Sequence, residues 1–270
     1  MLSKMIFSFT KYQGTGNDFV MLDNLTGVYN DLTDAQIQQI CDRRFGVGAD
    51  GLIKINAKEG YDFEVDYYNS DASKSFCGNG ARCAVNFAHE LGITNQEVFF
   101  WAIDGEHSAT KENGVVHLKM NPVEEIKLDT DFSASDFVLN TGSPHFIHFT
   151  ENVNIDKAEF ISQSKEIRYS EKYSKEGINV NFIQLENKCK AKIRTYERGV
   201  EDETLSCGTG VTAAAIVMCK KAALFGQHTF ELQVLGGILF VSMKRISESV
   251  FEDIYLIGPG ERVFKGEWND

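Results

Sequence analysis

The chain has 270 residues, 43% hydrophobic and 24% charged, with 27 basic against 39 acidic side chains and a formal net charge of −12. Such a balance fits a soluble globular protein of one large or two medium domains and argues against a general nucleic-acid binder, which needs a basic face. No apolar run of about 18 residues is present to span a membrane, and the stretch Met1 to Thr10, with Lys4 inside it, is too short and interrupted for a secretory signal, so a cytoplasmic protein is expected.

In chain order, Ile6 to Phe9 reads as the edge of a sheet. Gln13-Gly14-Thr15-Gly16-Asn17-Asp18-Phe19 interrupts it as a bulge or close backbone approach before Val20 to Leu22 resumes. Thr33 can cap a helix from Asp34 to about Arg43, with Ile37, Ile40 and Cys41 on its apolar face. Strands follow at Leu52 to Ile55 and Phe63 to Tyr68, and a small-residue helix at about Ala81 to Leu91. Val98 to Ile103 and Val115 to Met120 flank Asp104-Gly105 and Asn113-Gly114, two hairpin signals. Asn121-Pro122 breaks this pattern, which predicts a first lobe over 1–122 and a second over 123–260, with the tail 261–270 returning to the first.

The second lobe begins with a strand at Phe137 to Leu139, the turn Thr141-Gly142-Ser143-Pro144-His145 and a strand at Phe146 to Phe149. Asp156 to Lys165 is helical in pattern, Asn179 to Ile183 and Ala191 to Tyr196 are strands, and Val211 to Leu224 is a buried helix. His228 to Leu235, Ile238 to Met243 and Val250 to Ile257 form antiparallel strands that Gly258-Pro259-Gly260 ends. No Cys-x-x-Cys pair occurs, which argues against zinc. Cys41, Cys83, Cys189 and Cys219 lie in apolar stretches and read as small buried residues.

Two tetrapeptides carry the chemistry. Cys77-Gly78-Asn79-Gly80 and Cys207-Gly208-Thr209-Gly210 stand 130 residues apart, each after a strand and before a small-residue helix. Helix starts hold unpaired N–H groups and partial positive charge, so a thiol there becomes more acidic and a carboxylate finds donors. Two such starts facing one ligand would put a sulfur on each side of it. Inverting a carbon that bears hydrogen needs a base on one face and an acid on the other, and a thiolate with a thiol supplies both. A helix end is worth at most about 2 kcal/mol and one pKa unit costs about 1.4. Another group should therefore take the thiol proton, and His145 and Glu197 are the candidates.

Together, Gly14-Thr15-Gly16-Asn17-Asp18-Phe19, Cys77-Gly78-Asn79-Gly80-Ala81-Arg82-Cys83, Gly142-Ser143-Pro144-His145, Glu197-Arg198-Gly199, Glu203-Thr204 and Cys207-Gly208-Thr209-Gly210 resemble the diaminopimelate epimerase family, in the right order across nearly the whole chain. The resemblance implies an α+β fold of two pseudo-symmetric lobes, each a curved, mostly antiparallel sheet around a central helix, with the active site in the cleft between them. It implies a cofactor-independent enzyme that interconverts LL- and meso-2,6-diaminopimelate for lysine and peptidoglycan synthesis, without metal, and working as a homodimer. Carried over by residue, Cys77 and Cys207 are the acid/base thiols. Backbone at Gly78, Asn79, Gly208 and Thr209 holds the reacting carboxylate, and Asn17, Asn69, Asn179 and Arg198 read the distal end. His145 and Glu197 are helpers that accept thiol protons.

Ser143 replaces a usual Asn and Gly51 a usual Gln, the Asn69 to Cys77 loop is one residue shorter, and Glu197 to Cys207 one longer. The proline and hydroxyproline racemases share the two-thiol logic on a small ring and are the nearest alternative. A thiol redox protein or a catalytically dead binding module, with Cys77 and Cys207 forming a disulfide, is the more distant one.

Overall fold

The computed structural model describes residues 6–123 and 125–269, so the first five residues, including Lys4, lie outside the described part. The chain divides into a unit of Met1–Leu118 with Gly258–Asp270 and a unit of Lys119–Ile257.

The first unit runs β1 (Ile6–Gly14), β2 (Asn17–Asn24), α1 (Asp34–Cys41), β3 (Gly51–Asn56), β4 (Phe63–Asn69), α2 (Gly78–Glu90), β5 (Glu97–Ala102), β6 (Gly105–Glu112) and β7 (Val115–Lys119). β1 and β2 form a hairpin closed by Thr15 and Gly16, both at positive φ (53° and 89°). Left-handed backbone at both central positions matches the twist of the flanking strands, so the glycine-rich interruption is a two-residue turn. β2 and β3 are parallel, with α1 as the crossover, and β4 and β5 are parallel across α2. Parallel strands require such a crossover. The remaining pairs, β3–β4, β5–β6 and β6–β7, are antiparallel. Thr33 caps α1 in a reciprocal capping box with Gln36.

The second unit repeats this order with two short strands added: β8 (Ile126–Asp129), β9 (Asp136–Asn140), β10 (Pro144–Phe149), α3 (Lys157–Arg168), β11 (Asn179–Asn187), β12 (Lys190–Glu197), β13 (Asp202–Thr204), α4 (Gly208–Lys221), β14 (Gly226–Val234), β15 (Gly237–Arg245) and β16 (Phe251–Pro259), of which β8 and β13 are the additions. β10–β11 and β12–β14 are its parallel pairs across α3 and α4, while β9–β10, β11–β12 and β14–β15 are antiparallel. The expected α+β fold of two similar, mostly antiparallel halves is thus present. α2 is buried from Gly78 through Ala88, and α4 is buried along nearly its whole length. Each is a core helix walled by the strands of its own unit.

Several expectations need correction. Ile6 to Phe9 pairs on one side, with β17 (Glu261–Asn269), while β2 pairs only from Thr10 to Gly14 of β1, so an edge was correctly expected there but β1 runs on past it as an inner strand. The antiparallel run of the second unit stops at Gly258-Pro259-Gly260, where β16 ends, and the tail, expected to return to the first half without an assigned structure, is a strand there, β17 paired with β1. Gly260 is there because a Cβ would stand 2.8 Å from the Arg82 carbonyl on α2. Asn86 Nδ2 donates to the Gly260 carbonyl at 2.7 Å. The short strands β8 and β13 carry too few alternating residues to be read from sequence. Cys189 sits half-exposed in the β11–β12 turn, outside the core.

Candidate active site

Both core helices begin earlier than their apolar patterns, because the Gly-x-Gly triplets form the first turn. Cys77 and Cys207 are the N-caps, with nearly the same backbone (φ −135°, ψ 114° and φ −125°, ψ 106°). The small residues have a steric reason. A Cβ on Gly80 would stand 2.9 Å from Ile53 Cδ1 and 3.4 Å from the Phe19 ring, and one on Gly210 would stand 2.5 Å from Asn181 Oδ1 and 3.3 Å from His145 Cε1.

In the first unit, the Cys77 sulfur accepts from the Gly80 N–H at 3.5 Å and lies 3.5 Å from Asn17 Oδ1, to which a thiol can donate. Asn79 Nδ2 reaches the same oxygen at 3.4 Å. Asn17 Nδ2 donates to Asp50 at 2.6 Å, and Arg43 bridges Asp50 and Asp18. Burial raises the Asp18 carboxyl, but Arg43 and Lys11 outweigh it and hold Asp18 at about 2. Asn69 Nδ2 is taken up by its own loop, with Ser73 and Ser75 hydroxyls at 3.0 and 3.2 Å, and its Oδ1 accepts from the Tyr67 hydroxyl at 2.9 Å. The departure at Gly51 has a cause here. A Cβ would stand 2.4 Å from the Tyr67 ring and 2.5 Å from the Tyr68 carbonyl, so Tyr67 fills the space a longer residue would use.

Arg82, quoted in the motif but given no role, is fully buried on α2. It donates to the Thr15 hydroxyl and the Pro259 carbonyl at 3.3 Å each and to the Gly78 carbonyl at 3.4 Å. Burial pulls it down to about 10, against the pull of the Cys83 and Cys77 sulfurs. A charged residue between Ala81 and Cys83, in the small-residue stretch of a core helix, was the signal for it.

In the second unit, Cys207 has no side-chain capping bond and lies 3.5 Å from the Thr209 hydroxyl. His145 belongs to β10 rather than to the preceding turn, fully buried, with Nε2 2.9 Å from Thr209 Oγ1 and Nδ1 3.1 Å from Asn181 Nδ2. Burial and then the Arg198 charge push its pKa down to about 3, so the ring is neutral at physiological pH. Asn179 binds Ser143 Oγ at 2.8 Å and the Pro144 carbonyl at 2.9 Å, and accepts the Arg198 backbone N–H at 2.8 Å. The Arg198 guanidinium reaches the Glu176 carbonyl at 3.1 Å and Ser143 at 3.4 Å. Glu197 closes β12, its carbonyl accepting from Glu201 N at 2.8 Å. Thr141 ties the start of α4 down by donating to the Thr209 carbonyl at 2.8 Å.

The structure thus brings Asn17, Gly78 and Asn79 together with Cys77, and His145, Gly208 and Thr209 together with Cys207. Asn179 and Arg198 cluster with Ser143 beside His145, the Asn179 carbonyl lying 3.4 Å from Asn181 Nδ2. Sequence reasoning missed Arg82, Thr141, Asn181 and Thr195. Asn181 had a legible signal, a second Asn two residues after Asn179 in a strand, hence on the same face.

A family profile described as diaminopimelate epimerase matches residues 9–129 and 137–263. The diaminopimelate epimerase of Flavobacterium psychrophilum is 46% identical over 94% of this chain and 97% of its own, and that of Chlorobaculum tepidum 37% over 94% and 98%. Among solved structures, a Bacillus anthracis phenazine biosynthesis protein of the PhzF family (TM-score 0.70, 15% identity) covers 98% of this chain and 99% of its own. A hydroxyproline epimerase from Agrobacterium vitis (TM-score 0.70, 12% identity) covers 100% and 93%. Those two share the fold alone. With both units matched and relatives aligned nearly end to end, the chain belongs to the diaminopimelate epimerase family.

Proposed function

We propose that this chain interconverts LL- and meso-2,6-diaminopimelate by a two-base mechanism without a cofactor. The observation that carries the reading is the repeated construction: two topologically equivalent units, each presenting a cysteine as the N-cap of its core helix. One sulfur, as thiolate, removes the α-hydrogen as a proton. The electron pair remains on carbon, spread into the carboxylate. The other sulfur, as thiol, delivers a proton to the opposite face, and the roles exchange in reverse. Backbone N–H groups of Gly78, Asn79, Gly208 and Thr209 supply the donors that a carboxylate gaining charge requires. Asn17, Asn69, Asn179 and Arg198 read the distal amino-acid end, and His145 and Glu197 tune the thiols. Because both proton transfers run between sulfur and carbon, the reaction needs no metal or electron-sink cofactor. Residues 1–122 and 123–260 act as the two halves of one site, in a cytoplasmic homodimer.

The substrate is tested by deuterium uptake from D2O with purified protein lacking pyridoxal phosphate, offering LL-diaminopimelate and L-proline separately. Exchange into diaminopimelate is expected, with proline inert, because an unmet set of polar partners at the distal end costs about 1 to 3 kcal/mol per group. Deuterium entering proline alone would overturn the choice of substrate.

A further inference from the structure

The two helix starts share a backbone but are backed by different side chains. In the first unit Ile53 lies opposite Tyr67 and Phe19 faces Gly51; in the second Asn181 lies opposite Thr195 and His145 faces Asn179. The polar set in the second unit forms a hydrogen-bond chain with a direction. Thr195 Oγ1 donates to Asn181 Oδ1 at 2.9 Å. Asn181 Nδ2 then faces the Phe146 carbonyl at 3.0 Å, His145 Nδ1 at 3.1 Å and the Asn179 carbonyl at 3.4 Å. An amide nitrogen donates and carbonyls only accept, so this amide cannot be turned over without opposing oxygens to the Phe146 and Asn179 carbonyls. His145 Nδ1 is therefore the acceptor, and in the neutral ring Nε2 carries the hydrogen. Nε2–H donates to Thr209 Oγ1 at 2.9 Å, and the Thr209 hydroxyl, having accepted there, has the Cys207 sulfur at 3.5 Å as an acceptor for its own hydrogen.

We propose that Asn181 is a positioning residue: it locks His145 in the Nε2–H tautomer, so that Thr209 presents its hydroxyl hydrogen to Cys207 and favours the thiolate. The inference rests on the two-thiol reading above and gives His145 the part of a fixed donor to the relay rather than a proton acceptor. Asn181 and His145 are fully buried, so water does not compete for the bonds between them. Among the described residues, Arg198 carries the charge that acts on the His145 ring, and the Cys207 thiol lies at the far end of the relay. Burial and Arg198 keep the ring neutral in this state, as the relay requires.

The test reads the ring and the thiol separately. Long-range proton–nitrogen NMR spectra of 15N-labelled protein at pH 7, with His145 assigned by loss of its signals in His145→Gln, should show the Nε2–H tautomer. A dominant Nδ1–H tautomer overturns the proposal, and this measurement stands even where a variant fails to fold. In Asn181→Asp an acceptor replaces the donor at Nδ1. The tautomer should invert, and the pH midpoint for iodoacetamide alkylation of Cys207, followed by peptide mass spectrometry, should rise by about one unit as a hydrogen bond to the thiolate is lost. The new negative charge alone would raise the midpoint as well, so the substitution is repeated in Thr209→Val, where the relay is already cut. A shift that largely vanishes there supports the relay, and one of equal size in both backgrounds overturns it. None of these readouts uses substrate, so a wrong choice of substrate would leave them unchanged.

Discussion

The starts of α2 and α4 have the same backbone and the same leading cysteine, yet the chemistry behind them differs. Cys77 is backed by Phe19, Ile53 and Tyr67, accepts a backbone N–H, and has the buried Arg82 charge on the same helix. Cys207 is backed by His145, Asn181 and Thr195 and meets a neutral hydroxyl. The residue of α4 equivalent to Arg82 is Thr212, whose hydroxyl turns back to the Gly208 carbonyl at 3.0 Å. On the proposed two-thiol reading, the repeated fold would support its thiols by two routes, a fixed charge in one half and oriented neutral dipoles in the other. The difference gives the halves separate sensitivities.

The largest contrast is expected at the two equivalent glycines. Gly210→Ala drives a methyl into Asn181 Oδ1 and the His145 ring and should lower kcat/KM for diaminopimelate by roughly 100-fold, the scale of an ångström-level misplacement. Gly80→Ala presses on the movable end of Ile53, with the Phe19 ring at ordinary contact distance, and should stay within roughly fivefold of the parent chain. Equal losses would mean that the two supports are not different in kind.

Next in size is the charge. Arg82→Met should raise the pH midpoint for alkylation of Cys77 by about one unit while leaving that of Cys207 in place. A parallel shift at both thiols would show that the substitution acts through the fold and not through local charge.

The smallest effect is a pH slope in stability. His145 has a folded pKa near 3, below the ordinary 6.5, so between these values the unfolded chain binds a proton that the native chain does not. Stability is then full above about pH 6.5 and falls as pH drops toward 3, with this group adding up to about 1.4 kcal/mol per pH unit. Urea melts of His145→Gln should show a shallower acid decline than the parent chain. An unchanged slope would place the parent's acid sensitivity elsewhere, with Asp18 a lesser candidate that acts only below about pH 4.

Much of this was legible in the sequence because local rules agreed with the fold. Thr33 capped its helix, Asn113-Gly114 turned its hairpin at positive φ, and both Cys-Gly-x-Gly segments opened buried helices. Where reading failed, long-range pairing decided. β1 read as ending at Phe9, whereas it continues to Gly14 between β2 and β17, and β17 is contributed by the far end of the chain. His145 read as a turn residue because Pro144 precedes it, whereas strand pairing with both β9 and β11 continues through that position. The Asn181 and Thr195 relay was hidden for a related reason: each residue taken alone is an ordinary polar position in a strand, and only their register, one opposite the other, joins them to His145.

The claim on which the account depends is that both sulfurs serve one stereocentre. Epimerisation of LL-diaminopimelate by Cys77→Ala and by Cys207→Ala, each checked for native melting, tests it most directly. Both variants should lose at least about 1,000-fold in kcat, since inversion needs an acid and a base together. A variant of either kind that turns over at the parental rate would contradict a two-thiol reaction.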